Sequence, residues 1–224
     1  MGSEKRTPIF RAPLILLILA NLGILGVRLW PWSQVLGLPG NGSTGIDPAV
    51  GLLGYIGVIF WIGSARDVAA RKCLLAAGCI GLLAGLFLAC SAILAGRPGA
   101  DDPTQSPILR WALTGVAVIF WGIAGSRAVR AGYQGGFGVL CAVWSAMVSS
   151  LMAFGALIGG SFYSLTQGQT TDPWKQYEGL AIGSEATQAL VRTLLTATGY
   201  LLLGPVVAIF AGMVFGALTK AKTE

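Results

Sequence analysis

Histidine is missing from all 224 residues, and charge is scarce: Asp, Glu, Lys and Arg together make up 11% of the chain. Without imidazole there is no His-held haem or chlorophyll, no His-bound zinc, and no Ser-His or Cys-His nucleophile pair. An ordinary soluble domain carries about a quarter charged residues, so most of this surface is not suited to water. The four cysteines, Cys73, Cys79, Cys90 and Cys141, show no CxxC spacing, which argues against a thiolate zinc site or a disulfide framework. The glycine-rich stretch 40–45 lacks the Gly-Lys-Ser/Thr of a phosphate loop. Asp101 and Asp102 are adjacent in a loop, where neighbouring side chains point apart rather than forming an acid/base pair. The sequence asks for no catalytic residue, no metal and no cofactor.

What it has in quantity is apolar length. Hydrophobic residues make up 54% of the chain and mean hydropathy is +0.73. A bilayer crossing takes about 20 apolar residues. That ruler predicts an all-α integral membrane protein, one domain of six transmembrane helices, with spans near 13–30, 48–65, 73–96, 107–126, 136–162 and 198–219. The net charge of +6 is spread over helix ends with no basic stripe, so nucleic acid is not an expected partner, whereas the lipid bilayer is.

The same charges set an orientation. Lys5, Arg6, Arg11, Arg66, Arg71, Lys72, Arg127, Arg130, Lys220 and Lys222, ten of the fifteen basic residues, fall on one side of the alternating spans. The other side is basic-poor and carries Asp47, Asp101, Asp102, Asp172, Glu178 and Glu185. The positive-inside rule then predicts both termini in the cytoplasm, in a cell membrane of the bacterial inner-membrane kind. The first apolar run follows a basic segment as in a signal peptide. It is followed, however, by Arg28, Leu29, Trp30, Pro31 and Trp32 rather than a small-residue cleavage site, so an uncleaved signal anchor is expected.

Asp47-Pro48 and Ser106-Pro107 each set a capping side chain before a proline at the expected first helical position. They also open a candidate internal repeat, 47–96 against 106–160. Within it Val58-Ile59-Phe60-Trp61 recurs as Val118-Ile119-Phe120-Trp121, a parallel duplication of two helices with both tryptophans expected at equal depth. Gly81 with Gly85, Gly155 with Gly159, and Gly212 with Gly216 are GxxxG pairs, expected to serve close packing inside the bundle.

Two features rise above this background. Pro205, preceded by Gly204, lies inside the last span, removes one helical N–H and leaves the Leu201 carbonyl without its usual partner, which predicts a bend or hinge. Arg110 and Arg192 fall near the outer boundary, and Glu185, Gln188, Arg192, Thr196 and Tyr200 share one helical face. If the helices neighbour one another, these residues form an outward basic vestibule for an anionic headgroup or solute. Snorkelling beside the interface aromatics Trp30, Trp32, Trp111 and Trp174 explains the same arginines without a ligand. Near the chain's end, Glu185-Ala186, Ala189-Leu190-Val191 and Thr196-Ala197-Thr198-Gly199 resemble the last helix of proton-channel subunits related to flagellar and Tol motors. Those proteins have three spans and a large cytoplasmic region, which this chain lacks, so the resemblance assigns no functional residue.

The sequence therefore favours a non-catalytic accessory or structural component of a membrane complex, with a membrane-protein partner or a second copy of itself. The alternative is a small-solute transporter or channel that uses the vestibule for entry and Gly204-Pro205 as its hinge.

Overall fold

A computed structural model describes residues 12–29, 42–62, 68–95, 107–167 and 185–221. These form six helices: α1 (Ala12–Leu29), α2 (Gly42–Ile62), α3 (Val68–Ala95), α4 (Pro107–Arg130), α5 (Gly135–Gln167) and α6 (Glu185–Lys220). Among the described residues there is no strand. Four stretches, Ala69–Leu94, Pro107–Arg130, Gly135–Gly160 and Val191–Lys220, are long and apolar enough to cross a membrane. Leu14–Val27 and Pro48–Ile62 are apolar but shorter. Many large apolar side chains, among them Leu16, Trp61, Ile108, Trp111, Leu203 and Phe210, lie on the surface, where lipid would meet them.

Local chemistry explains most boundaries. Pro107 opens α4, where its missing N–H would have no helical partner in any case. Arg127 and Arg130 occupy the last turn of α4, next to the negative end of the helix dipole. That helix closes in a Schellman turn: Gly132 takes the left-handed conformation (φ 85°), its N–H donates to Val129, and the Tyr133 N–H donates to Ala128. The Gln134 carbonyl then accepts from Phe137 and Gly138 to start α5. Asp47-Pro48 does not start a helix as expected, because α2 already begins at Gly42 and holds Pro48 inside it. A proline this near the helix start removes a single intrahelical bond, which the helix accommodates. The last helix also begins before residue 198, at Glu185, so α6 runs well past its apolar portion.

α5 is the axis of the bundle. In its apolar stretch 72% of residues are buried, against 28 to 33% in those of α3, α4 and α6. It packs against α1, α3, α4 and α6, while α2 rests chiefly on α6 and α1. The contacts fix direction. Gly78 meets Trp144, Gly81 meets Val148 and Gly85 meets Met152, a parallel register of α3 and α5. Trp121 bonds Ser149 while Gly125 meets Gly138, so α4 and α5 are antiparallel. Ser150 approaches Gly204 while Ala142 and Val139 approach Gly212, so α5 and α6 are antiparallel too.

Lipid gives helices no hydrophobic reason to associate, so backbone proximity through small residues has to supply it. Gly81 and Gly85 do this against α5, and Gly212 and Gly216 against Val139, Ala142 and Val129. The third GxxxG pair is used by half: Gly155 abuts the Asn21 side chain, but nothing comes within 4 Å of a Cβ built at Gly159. The two VIFW blocks have different surroundings, with Trp61 70% exposed and Trp121 2%.

Candidate functional site

Polar groups gather halfway along the bundle, where each of five helices contributes from near its middle. Asn21 of α1 is buried. Its Nδ2 donates to Leu17 O at 2.9 Å, within its own helix, and to Leu151 O of α5 at 3.2 Å. Trp121 of α4 donates through Nε1 to Ser149 Oγ at 2.8 Å, and Ser149 in turn donates back to the carbonyls of Ser145 and Ala146. Tyr55 of α2 donates through Oη to Leu201 O of α6 at 2.6 Å. All of these side chains are buried, and Ser145 and Ser150 are buried with no hydrogen-bond partner for their Oγ atoms.

The Tyr55 contact has a specific origin. Pro205 lacks the N–H that would pair with the carbonyl four residues earlier, which is that of Leu201. An unpaired carbonyl in a bilayer core costs several kcal/mol, since no water is there to replace the lost bond. The phenol of another helix fills the gap. Beside it stands the Ser150 hydroxyl, outside hydrogen-bonding geometry and packed so close to Gly204 that a Cβ at that position would collide with it. Gly204 is therefore a close-approach residue as well as the neighbour of the proline.

Tyr55 also forms one wall of an apolar groove of about 550 Å³ between α2, α5 and α6. Gly51, Gly54, Val58, Met147, Leu202 and Pro205 line it with Tyr55. None of these groups is charged. Among the described residues of this layer, the Asn21 amide and the Tyr55 hydroxyl donate to backbone carbonyls of other helices and so tie helices together, while Ser149 donates within its own helix. Among the described residues no three His, Cys, Asp or Glu side chains meet as a metal site, and all four cysteines are free thiols.

The residues singled out from the sequence lie elsewhere. Arg110, in the first turn of α4, is half-buried. Its carbonyl receives Thr114 Oγ1 at 3.0 Å and Ser91 Oγ of α3 at 3.2 Å, and the two hydroxyls are 3.1 Å apart. Arg192 is exposed in the early part of α6, its carbonyl accepting from Thr196. Glu185 and Gln188 belong to α6, but their side chains lie outside the described residues. Gly204 and Pro205 sit within the continuous α6 and at the polar layer. Sequence reasoning missed Asn21, Tyr55, Trp121 and the serines. The available signals were an asparagine inside an otherwise apolar run and serines at 145 and 149, which share one helical face, with Ser150 about 100° round from Ser149.

No family model, curated protein or solved structure matches this chain.

Proposed function

We propose that the chain is a six-span integral membrane protein of a bacterial inner membrane, with both termini cytoplasmic, serving as a non-catalytic component of a membrane complex. As whole helices α1 and α2, with 18 and 21 residues, rise about 27 and 32 Å at 1.5 Å per residue, against a hydrocarbon thickness of about 30 Å, while their apolar stretches Leu14–Val27 and Pro48–Ile62 are shorter. Arg71 and Lys72 at the start of α3, Arg127 and Arg130 at the end of α4, and Lys220 at the end of α6 all lie at one end of the bundle. That end is the cytoplasmic one by the positive-inside rule. Cysteines engineered beside Arg71 and Arg130 are expected to react with a membrane-impermeant maleimide only after the membrane is opened; labelling of intact cells would invert the topology.

The observation that carries the role is the use made of interior polarity. Asn21, Tyr55, Thr114 and Ser149 direct their donors to backbone carbonyls, and the charged residues of the described helices lie toward their ends. A transporter that couples solute to protons or ions would normally keep an ionisable group in mid-membrane. A bundle built to hold its shape needs none. Purification in a mild detergent is expected to recover a second membrane polypeptide at fixed stoichiometry. Recovery as a lone monomer or self-oligomer that passes solute across liposomes would overturn the reading in favour of a transporter.

A further inference from the structure

We infer that Tyr55 is a releasable latch on the proline-freed carbonyl of Leu201 and that Ser150 is its alternative donor, so that α2 can part from α6 and open the groove between them to the bilayer. This holds or fails independently of the complex proposed above.

The inference starts from one acceptor with two candidate donors. Pro205 frees the Leu201 carbonyl in the middle of α6. Tyr55 Oη satisfies it at 2.6 Å, and both residues are buried. If α2 simply left, the carbonyl would be stranded in apolar surroundings, and that penalty would hold the helix shut. Ser150 removes the penalty. Its hydroxyl is fully buried, has no partner, stands beside the Tyr55 hydroxyl and presses on Gly204, three residues beyond Leu201 on the same helix. A turn of the Ser150 side chain past Gly204 toward the Leu201 carbonyl would hand that acceptor from the phenol to α5. Each arrangement then leaves one hydroxyl idle and the backbone paired, the balance a two-position element needs.

The packing permits the movement. α2 rests mainly on α6 and α1 rather than on the α5 axis, and its contact with α6 is interrupted by the groove that Gly51, Gly54 and Val58 line. Nothing comes within 4 Å of a Cβ built at Gly54 or Gly57. In a membrane, moving α2 outward exchanges apolar contact for lipid contact at little hydrophobic cost. The hydrogen bond to Leu201 is therefore a large share of what holds α2 in place.

The two donors act in opposite directions, which a purely structural pair would not. Spin labels at the exposed positions Phe60 of α2 and Phe210 of α6, in full-length protein with its four cysteines replaced by alanine, read their separation in liposomes. Tyr55→Phe removes the latch and is expected to raise the longer-distance population about three- to tenfold, the equivalent of one membrane-buried hydrogen bond. Ser150→Ala strands the carbonyl in the open arrangement and is expected to lower it. Pro205→Ala returns an N–H to the Leu201 carbonyl, and in that background Tyr55→Phe should no longer shift the distribution. A rise with Ser150→Ala, or no change with either single variant, overturns the inference. Should Tyr55→Phe fail to fold, the sign of the Ser150→Ala shift decides alone, and an unchanged or increased longer distance overturns it.

Discussion

Gly81→Val is expected to separate α3 from α5 and to abolish the folded bundle in mild detergent. Even the first carbon of any side chain at residue 81 would lie 2.5 Å from the Ser145 carbonyl oxygen and 3.0 Å from its Cα. Those are backbone atoms of the most buried helix, and they have nowhere to go. Overpacking of a tight core typically costs about 1–3 kcal/mol per site. Here a branched side chain also breaks the backbone approach that replaces hydrophobic drive in lipid, so the loss should exceed that range. The same valine at Gly159, another member of a GxxxG pair, meets open space at its first carbon and should leave the melting temperature nearly unchanged. Thermal unfolding followed by tryptophan fluorescence compares the two variants. Equal effects would mean that the helices do not meet as described.

Trp121→Ala should come next in size. The indole is 2% exposed, donates to Ser149 and reaches toward Gly204, so it joins α4, α5 and α6 at the polar layer. Removing a buried tryptophan from a core costs about 3–5 kcal/mol through lost contact and the cavity left behind. The hydrogen bond is the smaller part, since such bonds in membranes average about 0.6 kcal/mol. Trp121→Phe, which keeps most of the bulk and loses the N–H, should therefore cost much less than Trp121→Ala in detergent unfolding. A phenylalanine variant as unstable as the alanine one would mean that polarity rather than shape dominates the joint.

Hydropathy made the helical class legible, because a run such as the one containing Ile80, Leu83 and Leu88 has few alternatives to a long apolar helix. Pro107 marked the start of α4, since a first-turn proline acts within a single turn, whereas the expected end at 126 fell short of the helix, which carries Arg127 and Arg130 in its last turn. Pro205 pointed to the Leu201 carbonyl for the same local reason. The partner of that carbonyl was not legible. Tyr55 lies 146 positions away, and hydropathy carries no information on which helices are neighbours. The burial of Trp121 was not legible either, because it depends on α5 and α6 packing over it, which the VIFW repeat does not encode. Glu185 could be placed on a helix, though the start of α6 could not, because its first turns are too polar to register on a bilayer ruler. Arg110 and Arg192 stood out for their charge. The uncharged Asn21 and Ser149 did not, although each joins α5 to another helix in the middle of the bundle.

The central position of α5 also bears on how the protein is made. A ribosome delivers the chain from its N-terminus, so α1 to α4 are all synthesised before the helix around which three of them pack. Until Gly135 and the residues after it emerge, Gly81 and Gly85 have only lipid or another early helix to meet, Asn21 lacks the Leu151 carbonyl, and Trp121 lacks Ser149. The early helices must wait in the membrane as loosely associated neighbours. The bundle gains its definite shape only when its fifth segment arrives, which makes assembly a late, concerted event and leaves the half-made chain dependent on whatever in the membrane shields small-residue faces and a lone asparagine.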